Sequence, residues 1–276
     1  MNYDFYSDKN SEKPDFNWNR YTITKCTDFD DDKNDKRNFG DNYREEQIKK
    51  YSPFLDLFKI DKENLPKKSI LIDITFTLKK PFLTKGDEQF WPNKQNPIAK
   101  DKILKIPIMK SSSWKGCLRS TAIKEGLIDK DLKKLFGNPK DSEDNNKGRL
   151  NFFTTFFKYI DLDVIAPHDR ESGTAKKGTS PIHLEVVPAG EDSFNLKLLY
   201  YPFDLLGEKN IEKEVEKDVE NVIEAIKKTL TKYGFGAKTA EGYGTAEIEQ
   251  FNLEVNSYDN DFEENIIEKK REILND

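Results

Sequence analysis

Apolar and polar residues first alternate regularly at Ser69–Leu78, where Ile70, Ile72, Ile74, Phe76 and Leu78 are spaced by Asp73, Thr75 and Thr77. A period of two puts the apolar set on one face of a strand. The aromatic run Arg149–Phe157 predicts another strand. Ile182–Val187 and Phe194–Tyr200 predict a strand pair around the turn Pro188–Ala189–Gly190, and Thr245–Phe251 is strand-like. Helical periodicity appears twice. Ser113–Gly126 carries a serine at the cap and a glycine near its end. In Glu214–Tyr233, Val215, Val219, Val222, Ile223, Ile226, Leu230 and Tyr233 form one face suited to packing on a sheet. The order strand, helix, strand, strand, helix, strand predicts an α+β, ferredoxin-like (RRM-like) unit with long insertions.

Outside that unit the patterning weakens. Residues 1–66 are polar and irregular, with the acidic run Asp28–Asp35, and read as an N-terminal arm that orders on a partner. Trp18, Tyr21 and the cluster Phe54, Leu55, Leu57 and Phe58 are its candidate anchors. The expected domain runs over 67–256. Within it lie a polar loop, Pro81–Lys105, carrying Phe90 and Trp91, and a Gly/Thr/Lys loop, His168–Ser180. Residues 257–276 read as an acidic tail with a short helix around Ile266–Leu274.

Composition adds constraints. Hydrophobic and charged residues each make up 35% of the 276 residues, so much of the chain is solvated or covered by partners. The 19 Phe and 11 Tyr exceed what the core obviously needs and point to stacking or interface surface. No run approaches the ~20 apolar residues of a membrane span, and no signal peptide is evident. Cys26 and Cys117 form no metal or disulfide pattern, so the expectation is a cytoplasmic protein without membrane, metal or cofactor. The net charge of −5 hides an asymmetry: residues 64–256 hold 31 basic against 29 acidic side chains. Lys100, Lys102, Lys105, Lys110, Lys115 and Arg119 form a stripe opposed only by Asp101. That is either a polyanion footprint or a solvated lysine-rich face.

Candidate chemistry concentrates in two motifs. Gly234–Gly244, GFGAKTAEGYG, places four glycines around Lys238, Thr239 and Tyr243 directly after the second helix. Such a loop either cradles phosphate on its N–H groups, with Lys238 and Thr239 assisting, or is a helix C-cap followed by a hairpin turn. It is neither a Walker A loop, since Ala237 precedes the lysine, nor a dinucleotide fingerprint, and it leads from helix to strand, opposite to both. Ser111, Ser112 and Ser113 open the first helix, with Lys115 and Arg119 a turn apart: an anion site, or simple capping by Ser113. Several phosphate contacts along a groove suit a nucleic-acid strand better than a nucleotide.

Four blocks then resemble the RAMP superfamily, the Cas-seven-like subunits of type III CRISPR effector complexes. They are Ile106–Ser120 (IPIMKSSSWKGCLRS), Leu135–Gly137 with Gly148–Phe153 (LFG and GRLNFF), His168–Gly190 and Gly234–Thr245. The resemblance implies a modified ferredoxin-like palm with a thumb β-hairpin inserted around 158–190. It also implies a grip on crRNA, target RNA reached by guide pairing, and neighbouring complex subunits as partners. The RNA-contacting set implied is Ser111, Ser112, Ser113, Lys115, Arg119, His168, Arg170, Lys176, Lys177, Gly236, Lys238, Thr239, Gly242, Tyr243 and Gly244.

Some members of this family also cut target RNA through an Asp before a small residue and Pro. This chain has Gln95 before Asn96–Pro97, and an amide can neither act as a base nor offer a carboxylate to a cation. Cleavage by that route is therefore not expected; Asp87, Asp101 and His168 are the remaining catalytic candidates, with Asp87 and Asp101 out of register. His168 and His183 read either as a general base or as RNA-contacting or structural histidines, and Asp169–Arg170 as a local salt bridge. A metal-dependent endoribonuclease and an assembly protein making mainly protein contacts are the alternatives.

Overall fold

The computed structural model describes residues 65–86, 97–102, 106–138, 146–158, 160–165, 182–190, 192–207, 211–257 and 259–275. In chain order these form β1 (Ser69–Leu78), β2 (Ile108–Met109), α1 (Ser111–Lys124), α2 (Asp129–Phe136), β3 (Leu150–Phe152) and β4 (Thr155–Phe156). Then follow β5 (Asp161–Ile165), β6 (Ile182–Val186), β7 (Ser193–Tyr200), α3 (Ile211–Lys228), β8 (Ala246–Asn256) and α4 (Asn260–Asn275). The main sheet has the order β3-β7-β1-β8 with antiparallel pairings throughout. With α1 and α3 as crossovers this is the predicted ferredoxin-like topology.

The alternation in β1 decides which face is covered. Ile70, Ile72, Ile74, Phe76 and Leu78 are buried against Trp114 and Leu118 of α1 and Val215, Val219, Val222 and Ile226 of α3. The register places Asp73, Thr75 and Thr77 on the open face beside Asn195, Lys197, Gln250 and Asn252. Phe153 continues β3 on the same side, its N–H donating to the Lys197 carbonyl at 3.2 Å.

Two strand expectations are corrected. Arg149–Phe157 is two strands: β3 pairs with β7, whereas β4 pairs with β2 in a separate ribbon. The switch is held by Thr155, whose hydroxyl accepts the Trp114 indole N–H (2.9 Å) and donates to the Asn195 carbonyl (2.8 Å). Nor do the two strands flanking Pro188–Ala189–Gly190 pair with each other. β6 pairs with β5, because Val187 exchanges both backbone hydrogen bonds with Phe82 and carries the chain away from β7.

The helices also differ in extent. α2 went unpredicted; it buries Leu132, Leu135 and Phe136. The tail helix spans Asn260–Asn275 rather than Ile266–Leu274, and it docks Phe262 and Ile266 into the core. Part of the aromatic surplus lies inside: among the described residues, Phe76, Phe82, Phe157, Phe194 and Phe235 are buried around Trp114.

An ionic network ties β3 to α3. Arg149, only 1% exposed, donates from Nε and Nη2 to the two oxygens of Asp204 (2.8 and 2.5 Å) and from Nη1 to Asp218 (2.6 Å). It also pairs with Glu214 (2.9 Å), which Lys134 of α2 shares, while the Tyr200 hydroxyl donates to Asp218 (2.8 Å).

Candidate nucleic-acid interface

The two motifs singled out in the sequence meet through the aromatic residue inside each. Trp114, in the first turn of α1, and Phe235, second residue of the glycine loop, lie 4.6 Å apart between ring centroids. Phe82 and Phe76 pack edge or tilted against the same Phe235 ring, so both motifs rest on one rigid aromatic bed. Burial raises the Cys117 thiol on the following turn of α1, and the Gly236 N–H partly offsets that rise.

Ser113 does not cap the helix, contrary to the expectation from sequence; α1 begins at Ser111 with Lys110 as the extended cap residue. The three serines therefore form the first turn. No cap side chain bonds this end and its first turn holds no acid, so the helix itself supplies no carboxylate to its positive dipole end. Lys115 and Arg119 follow one turn apart. Burial, then the charge of Arg119, hold the Lys115 ammonium below its ordinary pKa. Among the described residues no carboxylate pairs with either cation; Arg119 donates to the Gly137 carbonyl at 3.3 Å. Two neighbouring cations at a bare helix N-terminus favour an incoming anion.

The glycine loop is less open than its composition suggests. At Gly236 and Gly244 (φ +89° and +70°) an added Cβ would lie 2.3 Å from the Leu83 carbonyl and 2.0 Å from the Phe235 carbonyl. The N–H groups of Phe235, Ala237, Glu241, Gly242 and Gly244 all donate to backbone carbonyls. The expectation of an N–H cradle along the whole loop thus contracts to residues 238–240 of the tip, which spans 238–242. There Lys238 is left-handed and exposed, its ammonium 3.0 Å from Glu241, and Gly242 faces open space. Thr239 is half-buried. Tyr243 faces the other way, its hydroxyl donating to Asp163 of β5.

The basic stripe is also thinner than counted. Lys100 pairs at 2.9 Å with Glu185 of β6, a carboxylate 1% exposed that also accepts the Ile98 N–H at 3.0 Å. Neither Glu185 nor Cys117 carried a sequence signal for these roles. Lys102 and Lys110 are exposed. Asp101 is half-buried in a turn closed by its N–H to the Ile106 carbonyl. No cluster of three or more His, Cys, Asp or Glu side chains suited to a metal exists among the described residues. Asp87, Gln95, Lys105, His168, Arg170, Lys176 and Lys177 lie outside those residues, as do Cys26 and the arm anchors. No described helix is long and apolar enough to cross a membrane.

A ferredoxin-like sheet whose helix side carries a cationic, serine- and glycine-lined edge defines an α+β domain of RNA-recognition topology. The family model of the RAMP superfamily matches residues 75–247, and the chain belongs to that superfamily. A chain in the cryo-EM structure of the type III-B Cmr-beta bound to cognate target RNA shares the fold, with a TM-score of 0.52 and 18% identity. The likeness covers 91% of this chain and 86% of that one. Among curated proteins, none matches.

Proposed function

We propose that this chain is a crRNA-binding RAMP subunit of a type III CRISPR interference ribonucleoprotein. It holds guide phosphates and, with neighbouring subunits, presents the spacer for pairing with target RNA. The observation that carries the reading is the junction of the bare α1 N-terminus with the glycine loop. Trp114–Phe235 packing joins the helix start that carries Ser111–Ser113, Lys115 and Arg119 to the glycine loop that carries Lys238. The open face of the sheet carries Asp73, Glu247 and Glu254, and Lys197 and Lys79 are already paired to the first two, so those cations are not free for phosphate; this favours the helix side. Cleavage by the family's metal route is absent from the proposal because Gln95 replaces the expected carboxylate.

Phosphate contacts make a specific prediction. Lys115→Ala, Arg119→Ala and Lys238→Ala each weaken binding of single-stranded RNA to the same degree for unrelated sequences. Each also lowers the slope of log K against log salt by about 0.7. Fluorescence anisotropy over a salt series reads both quantities. A sequence-selective loss, or an unchanged slope in all three variants, refutes a phosphate role.

A further inference from the structure

The β5–β6 hairpin is seated on both faces by polar bonds whose partners lie in loops. On one face, Leu184, Val186 and Ile165 pack against Leu83, Ala237 and Tyr243, a small cluster separate from the main core. The Tyr243 hydroxyl spans this seat to the Asp163 carboxylate, which also accepts the Val164 N–H at 2.7 Å. On the other face, buried Glu185 binds Lys100 and the Ile98 N–H. Burial and the Asp163 carboxylate push the Tyr243 phenol up to about 12, so it remains a donor across the physiological range. One loop of eleven residues therefore offers Lys238 and Thr239 at its tip and grips the hairpin with Tyr243 at its end.

We propose that Tyr243 is a positioning residue: through its bond to Asp163 it fixes the hairpin at one angle to the glycine loop, so that RNA held at the loop tip also meets the hairpin. This rests on the RNA-binding reading above. The side chain acts through Asp163 rather than by stacking on a base, which reassigns the role expected from the sequence. Loss of the bond leaves the phosphate-contacting cations in place but frees the hairpin.

The test uses the full chain and mixed-sequence single-stranded RNA. In Tyr243→Phe, which keeps the ring in its apolar seat, backbone amides of 161–165 and 182–186 exchange at least about tenfold faster, the order expected for one lost hydrogen bond to a charged acceptor. RNA affinity falls about fivefold at an unchanged salt slope, unlike Lys238→Ala. Asp163→Leu reproduces both changes, and Asp163→Asn, which retains an acceptor oxygen, restores them. Unaltered hairpin exchange in Tyr243→Phe overturns the proposal, as does a shallower salt slope or failure of Asp163→Asn to rescue. Should the unmutated chain bind no RNA, the functional reading fails, and with it the coupling; the exchange measurement then separates that failure from loss of the latch itself.

Discussion

Arg149→Met is expected to unfold the protein more readily than any other single change to a described side chain. The substitution leaves Asp218, 2% exposed, buried without its cation, and strips Asp204 and Glu214 of theirs. Breaking a buried pair in this way costs about 3–5 kcal/mol. For a domain of this size that lowers Tm by about 10 °C or more. Arg149→Lys recovers only part, because an ammonium cannot fork to both oxygens of Asp204. Replacing Asp218 by Asn in the Met background removes the stranded charge and returns part of the loss. Calorimetry of these four proteins and of Asp218→Asn alone tests the scheme, and additive losses in the double variant contradict it.

The same network sets an acid limit. Burial pushes Asp204 up, but the hydrogen bonds and charge of Arg149 outweigh it and hold the carboxyl below its ordinary value. Glu214 is held low chiefly by its bond to Lys134, against some desolvation and with help from Arg149. Carboxylates depressed in the folded state stabilise fully above their unfolded pKa of about 4, and that contribution is lost as pH falls through the folded values. Burial raises Asp218 instead, so Asp204 and Glu214 carry this acid limb. Below about pH 4 the native protein loses stability more steeply than Arg149→Met.

Gly244→Ala is the second large effect. The residue sits at φ +70°, and an alanine Cβ would lie 2.0 Å from the Phe235 carbonyl and 2.9 Å from its nitrogen, backbone atoms that cannot rotate away. The left-handed conformation alone costs about 1–2 kcal/mol, and the collision must also move Phe235 off the Trp114 ring. Gly242→Ala supplies the control: φ is +88°, but nothing lies within 4 Å of its Cβ. Thermal melts should show Tm falling by a few degrees for Gly242→Ala and by about 10 °C for Gly244→Ala. Equal shifts would mean that the loop yields and that the aromatic bed does not fix it.

The elements that sequence disclosed were those whose periodicity is local. β1 alternates because one face meets two helices, and α3 keeps its apolar stripe because only that stripe touches the sheet. Partners were harder to read. Nothing in Ile182–Val187 says whether it pairs with the strand before or after it; the answer lies in Val187 bonding to Phe82, over a hundred residues earlier. α2 escaped notice because eight residues give barely two turns of pattern. At the site, Lys115, Arg119 and Lys238 were legible as charges near turns. The reason for the glycines was not, since only the fold reveals that Gly236 and Gly244 make room for Leu83 and Phe235 rather than for a ligand. Trp114 and Phe235 carried an overlooked signal: a large aromatic inside a serine- or glycine-rich motif is an anchor that turns its neighbours outward.

Crosslinking of the full chain to single-stranded RNA, with adducts mapped by mass spectrometry, tests the grip most directly. Ultraviolet adducts should fall within 106–120 and 234–245, the peptides joined by the Trp114–Phe235 contact. Adducts confined to the open sheet face, around Asn195, Lys197 and Asn252, or no adducts at all, would show that the helix side does not hold RNA.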